Sequence, residues 1–164
     1  MNEDLPPESH RLRIDHLPTP FSADQIRDNS WVRRLIRVRT DIPGQSPTFR
    51  QITVTQANAH EGTREFVDTD GDGQPTGSPV LRTSTWLELQ GHASQPADRT
   101  VATAEDVALT WGTESCWRYV VRDGADEQRF WFARRLPGMP VRVEEWTNGV
   151  LTERTEVIAV TTAR

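Results

Sequence analysis

The 164-residue sequence contains no lysine, and all nineteen of its basic residues are arginine. This absence excludes the Walker A phosphate loop, the Schiff-base chemistry of pyridoxal enzymes and aldolases, and the Ser-Lys hydrolases, because each needs a lysine amine. The sequence also has a single cysteine, Cys116. One cysteine excludes an intrachain disulfide framework and any zinc site built from several cysteines.

Long apolar runs are missing as well, and none approaches the length of a membrane span. The first ten residues, MNEDLPPESH, are acidic and lack the apolar segment of a secretory signal, so we expect a cytoplasmic protein, or an exported one if a leader has been removed. The net charge of −5 argues against nucleic acid or an anionic membrane as the main partner. No dinucleotide fingerprint or nucleophile elbow is present, so no cofactor is indicated. The oligomeric state is not indicated either.

The length fits one domain, and a hydrophobic content of 35% predicts a modest core. Residues 1–20 are polar and contain four prolines, which favours an extended N-terminal arm ahead of a domain at residues 21–164. At the start of that domain, Ser22 followed by Gln25 forms a capping-box pattern. This pattern predicts a helix of about two turns that ends near Asn29.

The stretch Thr110–Thr147 reads as three consecutive strands and holds four of the six tryptophans. Residues at alternate positions share a face of a strand. Trp117 therefore lies opposite Cys116 and Arg118, and Trp131 lies opposite its two phenylalanine neighbours. Asp123-Gly124 and Asn148-Gly149 are hairpin-turn dipeptides, and they predict antiparallel pairing on both sides of this stretch.

Period-two patterns elsewhere predict further strands. The segments are Val32–Arg39, Phe49–Thr55, Arg64–Asp68, Pro79–Leu89, Thr100–Trp111 and Val150–Val160. In the first of them Val32, Ile36 and Val38 share a face, and we interpret the arginines opposite them as solvated rather than as an anion site. The sequence thus predicts a mainly β fold: a single curved antiparallel sheet, or half-barrel, of about eight or nine strands with one short N-terminal helix.

A curved sheet has a concave face, and bulky aromatic side chains on it can line an apolar groove. Three tryptophans are our candidates for that groove: Trp86, Trp117 and Trp131. Core filling explains them equally well. Arg118 or Arg134 could hold an acidic head group at the mouth of the groove. We therefore predict a non-catalytic binding module for an apolar or amphipathic small molecule or a partner segment.

Two other functions stay open. On a strand, Trp86 and Glu88 would share a face close to His92, so Glu88, His92 and Cys116 are candidates for a hydrolase-like site. Structural roles explain these residues more simply, as a strand end and a buried thiol. The last alternative is a domain that only contacts other proteins.

One loop resembles a calcium site. Asp68, Asp70 and Asp72 alternate before Gly73 as in an EF-hand, but Pro79 stands where that loop needs a bidentate glutamate. We interpret the loop as a hairpin tip without a metal, with a millimolar cation site as the alternative.

Three segments of the central meander and its continuation resemble a known architecture. They are Gly112–Tyr119, Phe130–Ala133 and Leu136–Val143. Together they are similar to the C-terminal part of uncharacterised bacterial half-barrel proteins, and more broadly to periplasmic lipoprotein carriers of the LolA/LolB type. The resemblance covers about a third of the chain and implies a curved antiparallel sheet that holds lipid chains on its concave side.

Overall fold

The computed structural model describes residues 5–162, which form nine strands and two α-helices. The strands are β1 Leu35–Asp41, β2 Thr48–Ala57, β3 Glu61–Thr69, β4 Val80–Thr85, β5 Thr100–Leu109, β6 Gly112–Asp123, β7 Asp126–Ala133, β8 Arg142–Thr147 and β9 Val150–Val160. The helices are α1 Ala23–Asp28 and α2 Trp86–Gly91, with 3-10 turns at Glu8–His10 and Ala97–Arg99. Within these residues, no helix combines the length and the apolar character needed to cross a membrane.

All nine strands belong to one open antiparallel sheet, in the order β4-β3-β2-β1-β9-β8-β7-β6-β5. The mainly β fold predicted from the sequence is therefore confirmed. Two meanders, β1–β4 and β5–β9, join through the pairing of β1 with β9, where Val38 lies opposite Val157. Hairpins supply every other pairing, which leaves β4 and β5 as the edges of the sheet.

The predicted turns and the first helix are present. Asn148 and Gly149 have φ angles of 51° and 74°, as a two-residue type I′ hairpin turn requires. In α1 the Ser22 hydroxyl accepts from the Gln25 amide, and the Gln25 side chain accepts from the Ser22 amide. Both local signals were correct because they depend only on residues that are adjacent in the chain.

Two predicted strands were wrong in part. The strand predicted from Val32 begins at Leu35, because Arg33 takes a φ of 76° and the Arg34 amide donates to the Trp31 carbonyl in a turn. The strand predicted over Pro79–Leu89 ends at Thr85, and Trp86 begins α2.

The α2 helix starts at a capping box of its own. The Thr85 hydroxyl accepts from the Glu88 amide, and the Glu88 carboxylate accepts from the Thr85 amide at 2.7 Å. These reciprocal bonds satisfy two amides that a helix start leaves free. They favour a helix over the predicted strand, which was based only on the alternating positions of Leu81, Leu87 and Leu89.

The sheet is bent rather than flat. The end of the β5–β6 hairpin reaches over β8 and β9, although β5 pairs only with β6. There the Thr110 hydroxyl donates to the Ile158 carbonyl at 2.7 Å, and the Arg142 guanidinium donates to the Ala108 carbonyl at 3.0 Å. A long twisted sheet commonly bends in this way.

Both helices pack on one face of the sheet, which we call the helix side. An apolar cluster of Phe21, Ile26, Trp86, Tyr119 and Phe132 joins α1 and α2 to β6 and β7. Phe21 meets Phe132 edge-to-face, with ring centroids 6.3 Å apart. The helices are therefore held against the sheet at its β6–β7 end.

Residues 5–20 dock against the same region. The Gln90 side chain of α2 donates to the Thr19 hydroxyl at 3.0 Å, and the Tyr119 hydroxyl donates to the Pro18 carbonyl at 2.5 Å. Thr19 is completely buried. The boundary between arm and domain at residue 20 stays a prediction.

Candidate functional site

A cavity of about 240 Å³ lies between the two helices and the helix side of the sheet. Its wall is mainly apolar: Ile26, Ile36, Ile52, Val54, Leu89, Tyr119, Phe130, Phe132 and Met139. Cavities of about 150 Å³ lined by such residues bind molecules as large as benzene. This cavity therefore has room for a short alkyl chain.

Two arginines interrupt the apolar wall. Arg34 precedes β1 and is only 6% exposed, and Arg64 lies on β3 and is half-buried. Both side chains line the cavity together with Ser30, His92 and Gln95. No aspartate or glutamate is among the residues of its lining. The charge at the cavity is therefore positive and is not neutralised from within the wall.

Neither guanidinium has a carboxylate partner among residues 5–162, and each has a buried Nε without a hydrogen bond. Burial lowers the pKa of Arg34, while burial and then the like charge of Arg82 lower the pKa of Arg64. Both side chains lie over aromatic rings, Arg34 at 5.6 Å from the centroid of Trp31 and Arg64 at 5.3 Å from that of Phe66. Cation–π attraction offsets part of the cost of burying these charges.

Trp86 serves as an anchor of α2. Its indole is 5% exposed, and its Nε1 donates to the Asn58 carbonyl at 2.9 Å. The ring packs on Gly62 of β3 so closely that a Cβ there would lie 2.3 Å from it. The structure thus places Trp86 in the contact between α2 and the sheet rather than in the cavity wall.

Trp117 and Arg134 lie together, beside the cavity. The Trp117 ring contacts Phe21 edge-to-face at 5.8 Å, which puts it on the helix side. The Arg134 guanidinium lies 5.0 Å from the Trp117 ring centroid. This pair belongs to the packing beneath α1, and neither member lines the cavity.

Trp131 and Arg118 lie on the opposite face of the sheet. They pair across β6 and β7, one position out of phase with Trp117 and Phe132. The Trp131 Nε1 donates to Glu105 at 2.5 Å, and Arg118 lies 5.6 Å from the ring centroid. The three candidate tryptophans therefore do not converge on one groove, and their assignment as ligand residues stays a prediction.

The candidate hydrolase residues are also separated. Glu88 is exposed and caps α2, whereas His92 ends that helix and lines the cavity. Cys116 alternates with Trp117 on β6 and is fully buried, and burial raises the pKa of its thiol to about 11. A thiol with so high a pKa is a weak nucleophile at neutral pH. The described geometry does not assemble these three residues into one site.

In the calcium-like loop, Asp68 and Asp70 already accept hydrogen bonds from groups of the protein. Asp68 pairs with Arg50 at 2.8 Å. The Asp70 carboxylate accepts from the backbone amides of Asp72 and Gln74, each at 2.9 Å. Residues 5–162 contain no group of three or more histidine, cysteine, aspartate or glutamate residues arranged to hold a metal ion. The absence of a metal from this loop stays a prediction.

Sequence reasoning missed both arginines of the cavity, although one signal was present. Arg34 has the same parity as Ile36 and Val38, so the pattern itself puts a charge on the apolar face. Arg64 carried no such signal. It faces the cavity because it pairs with Val54 across β2 and β3, and that register appears only in the structure.

The described residues form an open antiparallel sheet with two helices packed on one side, and the cavity lies between the helices and the sheet. That sheet architecture agrees with the resemblance to the LolA/LolB-type carriers. Searches with family models and among curated proteins found no match, so the comparisons show no family.

Two crystal structures of MucB share the fold. The crystal structure of MucB in complex with MucA(peri) matches with a TM-score of 0.58 at 14% identity, over 85% of this chain and 55% of that one. The crystal structure of MucB matches with a TM-score of 0.57 at 11% identity, over 86% and 57%. The hypothetical protein CT021 from Chlamydia trachomatis has a TM-score of 0.46 at 11% identity, over 86% and 92%. This chain spans a little over half of the length of MucB, and the likeness concerns the fold alone.

Proposed function

We propose that this protein is a non-catalytic binding module that holds an apolar or amphipathic small molecule in the cavity between its helices and its sheet. The observation that carries the proposal is the cavity itself. It has a volume of about 240 Å³ and a mainly apolar wall with a few polar groups. Pockets with this composition are typical of small-molecule sites.

The structure of the wall supports a binding role. Leu89 comes from a helix of six residues that Trp86 holds against the sheet and the buried Gln90 side chain holds against Thr19. The helix therefore keeps an apolar side chain in a fixed position over the cavity, as in a preformed ligand site. The cytoplasmic location expected from the acidic N-terminus stays a prediction.

The second candidate ligand is an extended segment of a partner protein, bound at the edge strand β4. The edge strand β4 leaves Val80 and Leu81 exposed by 52% and 62%, and an unpaired edge with apolar side chains can accept an extended peptide. MucB, which shares the fold, has been crystallised with MucA(peri). We favour the small molecule because the cavity between the helices and the sheet has a concave, mainly apolar wall.

The neutral dye Nile red tests the proposal through two variants of α2. Leu89 lines the cavity, whereas Leu87 on the same helix is 60% exposed and does not. We expect Nile red to bind the parent protein saturably with a blue-shifted emission. Leu89→Trp, which fills the cavity, should weaken binding at least about tenfold, and Leu87→Trp should change it by less than about twofold.

Circular dichroism and the unfolding midpoint of both variants serve as folding controls. Equal effects of the two substitutions, or no saturable binding to the parent, would contradict the cavity as a binding site. The partner-segment candidate would then be preferred.

A further inference from the structure

We infer that the ligand of this cavity is an amphiphile with an anionic oxyanion head, and that the guanidinium groups of Arg34 and Arg64 bind that head. The inference rests on the proposed function and adds the chemical class of the ligand. It depends on three observations: the placement of the two arginines, their lack of carboxylate partners, and the absence of acidic residues from the wall.

The backbone brings the two arginines to the same side of the sheet. The Val54 amide of β2 donates to the Arg34 carbonyl at 3.0 Å, so Arg34 lies opposite Val54 just before β1 begins. On its other side β2 pairs with β3, and there Val54 lies opposite Arg64. Directly opposed residues in antiparallel strands point to the same face. Arg34, Val54 and Arg64 thus form one row across the sheet, and all three line the cavity.

The lack of a carboxylate partner distinguishes these arginines from most others among residues 5–162. Two arginines on the opposite face show the usual pairing: Arg154 contacts Glu144 at 2.5 Å, and Arg142 contacts Glu156 at 2.8 Å. Arg34 is buried more deeply than either, yet it has no ion pair within residues 5–162. A buried charge without a partner is unfavourable for folding. A sequence that keeps two such charges beside an apolar cavity is explained by a ligand that neutralises them.

The chemistry of the guanidinium group suits an oxyanion. Trp31 and Phe66 lie near Arg34 and Arg64, respectively, in cation–π contacts. An aromatic ring carries no carboxylate charge, and the N–H donors of a guanidinium lie in the plane of the group in a fixed fork. Those donors match the two oxygens of a carboxylate or phosphate in a bidentate arrangement. The apolar wall formed by residues such as Ile36, Ile52 and Phe130 would then contact the alkyl chain.

No carboxylate in the wall competes for the two arginines or repels an anionic head. Ser30 and Gln95 supply further polar groups at the wall. A cationic amphiphile would place a like charge beside two guanidinium groups, and a neutral alcohol would leave them unpaired. The cavity should therefore discriminate among ligands that share one chain and differ only in the head.

The test is displacement of Nile red by four ten-carbon compounds: decanoate, decyl phosphate, decanol and decyltrimethylammonium. We expect decanoate or decyl phosphate to displace the dye at a concentration at least about tenfold lower than decanol, and the cation to be weakest. The comparison of decanoate with decyl phosphate distinguishes a fatty-acid head from a phosphate head.

Two variants connect the preference to the arginines. Arg34→Met and Arg64→Met should each remove most of the preference for the anion over decanol. The preference is the ratio of the two displacing concentrations within one variant, so it does not depend on how tightly that variant binds Nile red. Arg50→Met is the matched control, because Arg50 lies on β2, pairs with Asp68 and does not line the cavity. It should keep the preference.

Arg34→Met should also unfold at a temperature no lower than the parent, since it removes a buried charge without a partner.

The outcomes separate the inference from the proposed function. If Nile red binds but decanoate and decanol displace it equally, the anionic head is wrong and the binding cavity stands. If Nile red does not bind, the proposed function itself fails. Should Arg34→Met fail to fold, Arg64→Met and the neutral polar variant Arg34→Gln decide. An unchanged preference in both would overturn the role of these arginines.

Discussion

Replacement of Trp86 with alanine should destabilise the protein by about 3–5 kcal/mol, the range measured for removing a buried aromatic side chain. Trp86 is 5% exposed and lies in the cluster with Phe21, Ile26, Tyr119 and Phe132 that holds both helices on the sheet. Its loss leaves a cavity and an unpaired Asn58 carbonyl, which accepts the indole hydrogen bond in the parent.

Chemical denaturation followed by circular dichroism measures this effect. Leu87→Ala is the matched control, because Leu87 is the next residue of α2 and is 60% exposed. It should change stability by less than about 0.5 kcal/mol. A loss below about 1 kcal/mol for Trp86→Ala would show that the indole does not anchor α2.

Gly62→Ala should destabilise the protein by about 1–3 kcal/mol through overpacking. A Cβ at residue 62 would lie 2.3 Å from the Cη2 atom of Trp86, which is far inside van der Waals contact. The ring cannot rotate away without breaking its hydrogen bond to Asn58. Gly77→Ala is the control, since no heavy atom lies within 4 Å of a Cβ built there.

The same denaturation series in a Trp86→Ala background tests the cause. The contact that produces the overpacking is then gone, so Gly62→Ala should cost much less than in the parent. Additive losses would contradict the contact as the origin and would point to a backbone effect of the glycine instead.

Much of the fold could be predicted from the sequence, because hairpin turns and strand alternation are local. Asn148-Gly149 fixed the β8–β9 hairpin, and the predicted bounds of β9, Val150–Val160, are those observed. The α1 helix followed from Ser22 and Gln25. These signals need no information about which strands become neighbours.

The error at α2 has a specific origin. Leu81, Leu87 and Leu89 alternate, and that alternation favoured one long strand over residues 79–89. Thr85 and Glu88 carry the same capping-box spacing as Ser22 and Gln25, and the structure shows both bonds formed. The stronger local signal was therefore the cap, and it was present in the sequence.

The candidate site was less accessible to sequence reasoning. Alternation alone separates Trp131 from Phe132, but the register of β6 with β7 decides that Phe132 shares a face with Trp117. The arginines of the cavity depend on such pairing too, since Arg64 reaches it only through its partner Val54. Register in a hairpin depends on the conformation of its loop and on any bulge, and the register shift in β2 between Val54 and Gln56 follows no pattern in the sequence.

The most direct test of the binding cavity is a crystal structure of the protein grown with 10-bromodecanoate, whose bromine gives an anomalous signal. We expect the chain to lie between α1, α2 and the sheet, with its carboxylate at Arg34 and Arg64 and its bromine against the apolar wall. Bromine found only at the exposed apolar side chains of β4, Val80 and Leu81, with the cavity unoccupied at a saturating concentration, would contradict the account.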